Sequence, residues 1–167
     1  MSPVLEPGTL DFISRSEAQT HRLGVRLGSL AQSGLVIALI GQLGTGKTRL
    51  AQGFGEGLQV PAHEVINSPT FTFINQYQGR LPLYHIDVYR LSDPTEAETL
   101  GLDDYFYNDG VCLIEWADLI EPILPAERLE VELHHLENTK RRVVIRALGD
   151  ASQKLLLAFK NQAFKPT

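Results

Sequence analysis

Two continuous apolar runs, at 35–40 and 111–114, a glycine-rich loop directly after the first, and leucines at helical spacing around them predict an α/β fold. Neither run alternates with polar residues, as expected of strands covered on both faces of a parallel sheet. The predicted architecture is of the P-loop NTPase type. It has a mainly parallel central sheet flanked by helices, an antiparallel hairpin at about 71–89 and antiparallel C-terminal strands.

The chain has 167 residues, 43% hydrophobic and 21% charged, which suits one compact domain with a real core. Residues 1–8 carry two prolines and no periodicity, so they read as a loose tail before a single domain at 9–167. A net charge of -5 argues against a protein whose main task is gripping nucleic acid. The single cysteine, Cys112, lies in an apolar run and reads as a small buried hydrophobe. No apolar span reaches the roughly 18 residues a membrane helix needs, and the first residues lack a signal peptide's pattern. A cytoplasmic protein is expected.

In chain order, a short strand at 9–13 precedes a helix capped by Ser14 or Ser16, since Glu17 and Gln19 each stand three residues on. Leu23, Leu27 and Leu30 carry that helix to about Gln32, and Gly34 ends it. After the strand at 35–40 and the loop, Leu50, Ala51, Phe54 and Leu58 share one helical face. Residues 62–70 read as a loop, and 71–77 and 83–89 as the arms of the hairpin, turning at Gln78-Gly79-Arg80. Asp93 caps a helix with Pro94 in its first turn, stopping near Gly101. Residues 102–109 suggest a short irregular helix, and 120–125 a proline-bounded connection. Strands follow at 129–134, half exposed, and at 141–148. Gly149-Asp150 caps a last helix over 151–164.

The loop reads Gly41-Gln42-Leu43-Gly44-Thr45-Gly46-Lys47-Thr48, two glycines bracketing four residues before Lys and Thr. This is the phosphate-cradling pattern: backbone N–H groups turn inward, Lys47 brings positive charge, Thr48 offers a hydroxyl to Mg²⁺, and the helix start faces the anion. Hydrolysis also needs carboxylates. Glu115 ends a buried strand, where α/β sheets place ligands, and a charge there calls for a metal or a partner. It reads as a Mg²⁺ or water site, with a structural ion pair as the other option. Asp87 is the second candidate carboxylate, with a structural role as the other option; it falls on the same strand face as His85, which is expected to orient it. Ser16 reads as a helix cap or a ligand contact, and Trp116 as packing or a cover over the site. As metal ligands His21, His63 and His85 are isolated, the adjacent His134-His135 would point to opposite faces of a strand, and with one cysteine a zinc site is not expected.

Four blocks then resemble the bacterial TsaE (YjeE) family, the ATPases of tRNA threonylcarbamoyladenosine biosynthesis. They are the loop Gly41 to Thr48, Ser68-Pro69-Thr70-Phe71, His85-Ile86-Asp87-Val88-Tyr89-Arg90 and Ile114-Glu115-Trp116. The resemblance spans roughly residues 10–160. It implies binding of ATP and Mg²⁺, weak hydrolysis, and work beside the TsaB–TsaD pair, which transfers threonylcarbamoyl to adenosine 37 of tRNA. By resemblance Lys47 holds phosphates, Thr48 and Glu115 serve Mg²⁺, and Asp87 completes the catalytic and metal-binding carboxylates. Ser68 to Phe71 becomes a switch-like segment sensing the γ-phosphate, with Thr70 among the catalytic residues. Gly41, Leu43, Gly44, Thr45 and Gly46 contact nucleotide, with Ser16, Trp116, Asp118 and Arg141 at the periphery. The family usually has Asp at Gln42 and Ala at Thr45, so affinity or turnover is open to change here. Two other readings of the loop remain: a small-molecule kinase, for which no Arg-rich lid stands out, and a nucleotide-gated binding module.

Overall fold

The computed structural model describes residues 4–6, 8–42, 44–62, 64, 66, 73–91 and 93–163. One eight-stranded sheet organises them, in the order β1-β2-β8-β7-β3-β6-β5-β4. The strands are β1 (Val4–Glu6), β2 (Thr9–Ser14), β3 (Val36–Ile40), β4 (Ile74–Gln78), β5 (Pro82–Asp87), β6 (Val111–Glu115), β7 (Arg128–Glu137) and β8 (Lys140–Leu148). The four central strands, β7, β3, β6 and β5, run parallel. The β4–β5 hairpin flanks them on one side, and the antiparallel β8, β2 and β1 on the other. The stretch expected as a loose tail thus contributes a strand, since Val4–Glu6 pairs with β2.

Among the described residues five helices and one 3₁₀ segment cover the sheet: α1 (Glu17–Leu30), α2 (Lys47–Gly57), α3 (Pro94–Thr99), α4 (Leu102–Phe106), α5 (Asp150–Ala163), and the 3₁₀ turns of Ala117–Ile123, which begin before the connection expected at 120–125 and overlap it. Alternate residues of the buried strands feed two separate cores, which is why those strands lack polar alternation. Ile37, Leu39, Val111 and Leu113 pack with Leu27, Leu50, Phe54 and Phe159 beneath α1, α2 and α5. Val36, Ala38, Cys112 and Ile114 pack with Ala97, Leu102, Phe106 and Ile120 on the opposite face. Cys112 is the buried small residue its context suggested. Its thiol donates to the Tyr105 carbonyl, and burial pushes its pKa up to about 12.

Local sequence chemistry sets the element ends. Ser16 rather than Ser14 caps α1, its hydroxyl accepting from the Gln19 N–H at 3.1 Å. The C-terminal carbonyls of α1 are met by Arg80 of the hairpin turn, which donates to Gly28 and Ala31 at 3.0 and 2.8 Å. Asp93 caps α3 as expected, with Pro94 in its first turn. For α5 the expected Gly149-Asp150 cap is replaced in space by Glu127, whose carboxylate accepts from the Ala151 and Ser152 N–H groups. A carboxylate suits that position because it meets both orphan donors and the positive end of the helix.

Helices α1 and α2 touch backbone to backbone. Gly24 and Gly28 face Gly53 and Gly57, and a methyl group at Gly53 would lie 2.0 Å from the His21 carbonyl oxygen. The corresponding distances are 2.2 Å at Gly24, to Leu50, and 2.1 Å at Gly57, to Val25. This contact fixes where α2 begins, and so where Lys47 stands. Alanine in an open helix is favoured over glycine by about 1 kcal/mol. Here the obstructing atoms are backbone and cannot rotate aside, and overpacking of this kind costs about 1–3 kcal/mol. Gly53→Ala is therefore expected to lower the denaturant midpoint of unfolding; an unchanged or raised midpoint would contradict the close contact.

Candidate functional site

The site forms where β3, β6 and β5 end together. Parallel register sets Leu39 beside Glu115 and Glu115 beside Asp87, so both carboxylates stand at the same edge as the loop leaving β3. Such edges are the ligand-binding ends of open α/β sheets. Beyond them lies a cavity of about 450 Å³. Its walls include Gly44, Gly46, Lys47, Thr48, Asp87, Glu115, Trp116 and Arg141, all named from sequence as site residues. Glu17, Thr20, Arg49, Gln52, Tyr89 and Thr139 also line it and were not expected there.

The glycine-rich loop takes its shape from left-handed backbone at Gly44 and Gly46, with φ of 77° and 100°. Gly46 leads directly into α2, whose first N–H groups have no side-chain cap. At Gly41 a methyl group would lie 2.7 Å from the Leu133 carbonyl, so the loop lies tight against β7. Strand β7 continues past its partner β3, since Ile40 pairs with Glu132 while β7 runs on to Glu137. The overhanging β7–β8 hairpin brings Arg141 to the loop. Arg141 donates to the carbonyls of Gly44 and Thr45 at 2.9 and 3.1 Å. In a trans peptide the N–H points opposite its C=O. The guanidinium thus turns the N–H groups of Thr45 and Gly46 away from itself, a supporting role that sequence did not reveal.

Lys47 is almost wholly buried. Its ammonium donates to the Gly41 carbonyl at 2.7 Å and lies 3.5 Å from the centroid of the Trp116 ring. Burial lowers its pKa, opposed by the charges of Glu115, Asp87 and Asp118. Trp116 has a φ of 61°, which costs energy for a bulky side chain and is held by its surroundings. Tyr89 packs on it with ring centroids 4.8 Å apart.

Two expectations change. His85 does not orient Asp87: its Nε2 lies 2.6 Å from Glu115 Oε2, and Asp87 Oδ1 instead accepts from the Tyr89 N–H at 2.9 Å. Alternation put His85 and Asp87 on one face, but pairing with β6 decides which carboxylate the ring reaches. Nor is His21 isolated, since its ring meets Glu56 at 2.5 Å. Among the remaining candidates, Ser16 acts as the α1 cap and does not line the cavity, while Asp118 acts on Lys47 through its charge only. Gly41 serves through its carbonyl, and Thr45 is buried with its hydroxyl donating to the Gln42 carbonyl. Leu43, Thr70 and the rest of Ser68 to Phe71 lie outside the described residues.

The sequence model for the Threonylcarbamoyl adenosine biosynthesis protein TsaE matches residues 14–143. The chain belongs to the TsaE family. This TsaE-family chain is 45% identical over 138 residues to the "tRNA threonylcarbamoyladenosine biosynthesis protein TsaE" of Bacillus subtilis, covering 82% of this chain and 85% of that protein. Its identity to the proteins of the same name from Treponema pallidum and a Nostoc species is 38% and 42%, each over 80% of this chain. They are covered over 97% and 83% of their own lengths. Among solved structures, Bacillus subtilis YdiB superposes with a TM-score of 0.79 at 36% identity, over 95% of this chain and 99% of that one. The likeness to YdiB agrees with the P-loop type of sheet predicted from sequence.

Asp87 offers a direct electrostatic test. Burial is the main reason its pKa is raised, with the Glu115 charge adding to the effect. The native state therefore holds this proton more tightly than the unfolded chain does. That contribution favours the native state below the unfolded-state pKa and is lost as pH rises through the folded-state value. Asp87→Asn keeps an acceptor for the Tyr89 N–H and removes the charge. It should unfold at higher denaturant than wild type at pH 7, with the advantage shrinking at acid pH. A variant less stable at pH 7 would contradict the assignment.

Proposed function

We propose that this chain is a Mg²⁺-dependent ATP-binding and weakly ATP-hydrolysing component of the machinery that makes threonylcarbamoyladenosine at position 37 of tRNA. It acts in the cytoplasm beside TsaB- and TsaD-like proteins and reaches tRNA through them. The observation that carries this reading is the convergence of Lys47, Thr48, Asp87 and Glu115 on one cavity at the parallel strand ends. Membership of the TsaE family, with relatives named for tRNA threonylcarbamoyladenosine biosynthesis, supports the wider role. No helix among the described residues is long and apolar enough to cross a membrane.

The donor set suits Mg²⁺ held together with phosphate. Among the described residues no group of three or more His, Cys, Asp or Glu stands ready to cage a metal. Mg²⁺ in nucleotide sites typically takes one or two carboxylates and completes its shell with phosphate oxygens and water. Thr48, Asp87 and Glu115 supply hard oxygen donors of that kind. When bound, the ion would neutralise charge developing on the transferred phosphoryl group. The chain's own part is binding and orientation. The start of α2 and the loop N–H groups receive the anion. Lys47 exchanges the Gly41 carbonyl for phosphate, a stronger charge-assisted partner. Asp87, half-buried beside Glu115, would orient water at the phosphoryl group.

A kinase acting on a small molecule fits less well. Of the arginines such an enzyme could bring to phosphate, Arg80 is spent on the end of α1 and Arg128 on Glu130 and the Pro125 carbonyl. Calorimetry of ATP with Mg²⁺ should show binding to wild type and a loss of at least about tenfold in Lys47→Ala, a hydrogen-bonded charge being worth about 1.5–3 kcal/mol. Association with TsaB- and TsaD-like proteins should strengthen with ATP and respond less in Lys47→Ala. No nucleotide binding by wild type, or equal association under all conditions, would refute the proposal.

A further inference from the structure

We propose that His85 is a positioning residue, holding the Glu115 carboxylate in one orientation at the cavity wall. This rests on the magnesium reading of Glu115 given above. His85 is fully buried in β5, and the Glu115 side chain beside it in β6 is 3% exposed. Their pairing at 2.6 Å is a short, charge-assisted contact. The ring's other nitrogen, Nδ1, is buried and meets no hydrogen-bond partner among the described residues. With its hydrogen on Nε2 the ring donates to Glu115 Oε2.

This arrangement makes poor sense as packing alone. Leu83 on the same face of β5 is buried without polar needs, and a leucine at 85 would fill the same apolar surroundings without a polar group. What the imidazole supplies is direction. Glu115 has three rotatable side-chain bonds, so packing alone leaves the orientation of its carboxylate plane to be set by the polar groups that it meets. With Oε2 bonded to His85, the carboxylate plane is fixed from below, while the residue still lines the cavity. Hydrogen bonds to ligating carboxylates are the usual means of tuning a metal site, and losing one typically costs about 10–100-fold in metal affinity. His85 touches neither cavity nor phosphate, so its effect passes through Glu115.

The test compares His85→Gln, His85→Asn and His85→Leu with wild type. Glutamine can place an N–H donor at the depth of Nε2; asparagine stops short of it; leucine fills space with no donor. Calorimetry with a non-hydrolysable ATP analogue, across a Mg²⁺ titration, gives the Mg²⁺ concentration that half-saturates enhanced binding. The expected result is a rise of about 10–100-fold for Leu and Asn, recovery towards wild type for Gln, and metal-free analogue affinity unchanged in all three. A structural role alone would instead move thermal midpoints without moving the Mg²⁺ requirement. Should the leucine variant not fold, the Gln and Asn pair still decides, and equal Mg²⁺ requirements in those two overturn the proposal. A wild-type protein whose analogue binding ignores Mg²⁺ would instead remove the magnesium reading, and this inference with it.

Discussion

Parallel pairing of β6 between β3 and β5 is the constraint on which the site depends. It brings the loop after Ile40, the carboxylate of Glu115 and that of Asp87 to one edge of the sheet. Parallel strands require crossovers, and here these supply the covering helices that bury both faces. A slip of one residue in β5 would turn Asp87 and His85 to the other core, among Ala97, Leu102 and Phe106. The apolar side chains of two cores therefore hold the polar site in register.

Charge is concentrated where burial makes it costly. Lys47, Glu115 and Asp87 are brought together at partly buried positions, and each finds partial compensation: a carbonyl and an indole face for Lys47, an imidazole for Glu115, a backbone N–H for Asp87. None of these partners is the strongest available to its charge. A polyanion carrying a divalent cation would satisfy the lysine and the carboxylates better than the resting contacts do. The protein tolerates this local frustration because the surrounding sheet and helices are well packed.

Most of the architecture was legible in the sequence because its signals are local. Unbroken apolar runs marked β3 and β6, capping residues marked α1 and α3, and the glycine pattern marked the loop. What sequence concealed depends on distance in space. Alternation along β5 places His85 and Asp87 on one face but cannot say that the ring reaches across to Glu115. Glu127 serves α5 from another part of the chain, displacing the local Gly149-Asp150 cap. Arg141 was read as a nucleotide contact from resemblance, while its bonds to Gly44 and Thr45 arise from the overhang of β7 past β3. The four-residue spacing of Gly24 with Gly28, and of Gly53 with Gly57, stood in plain view. Its meaning appears only once two helices are seen to meet there.

That meeting has a mechanical consequence. Where side chains separate two helices, rotamer changes let one slide against the other; where backbones abut, no such lubricating layer exists. Helices α1 and α2 therefore move as one block. The block carries Glu17, Thr20, Lys47, Thr48 and Gln52, all of which line the cavity. The glycines thus hold these five cavity residues in a fixed relation to one another, while Trp116, Tyr89 and Arg141 reach the cavity from other elements.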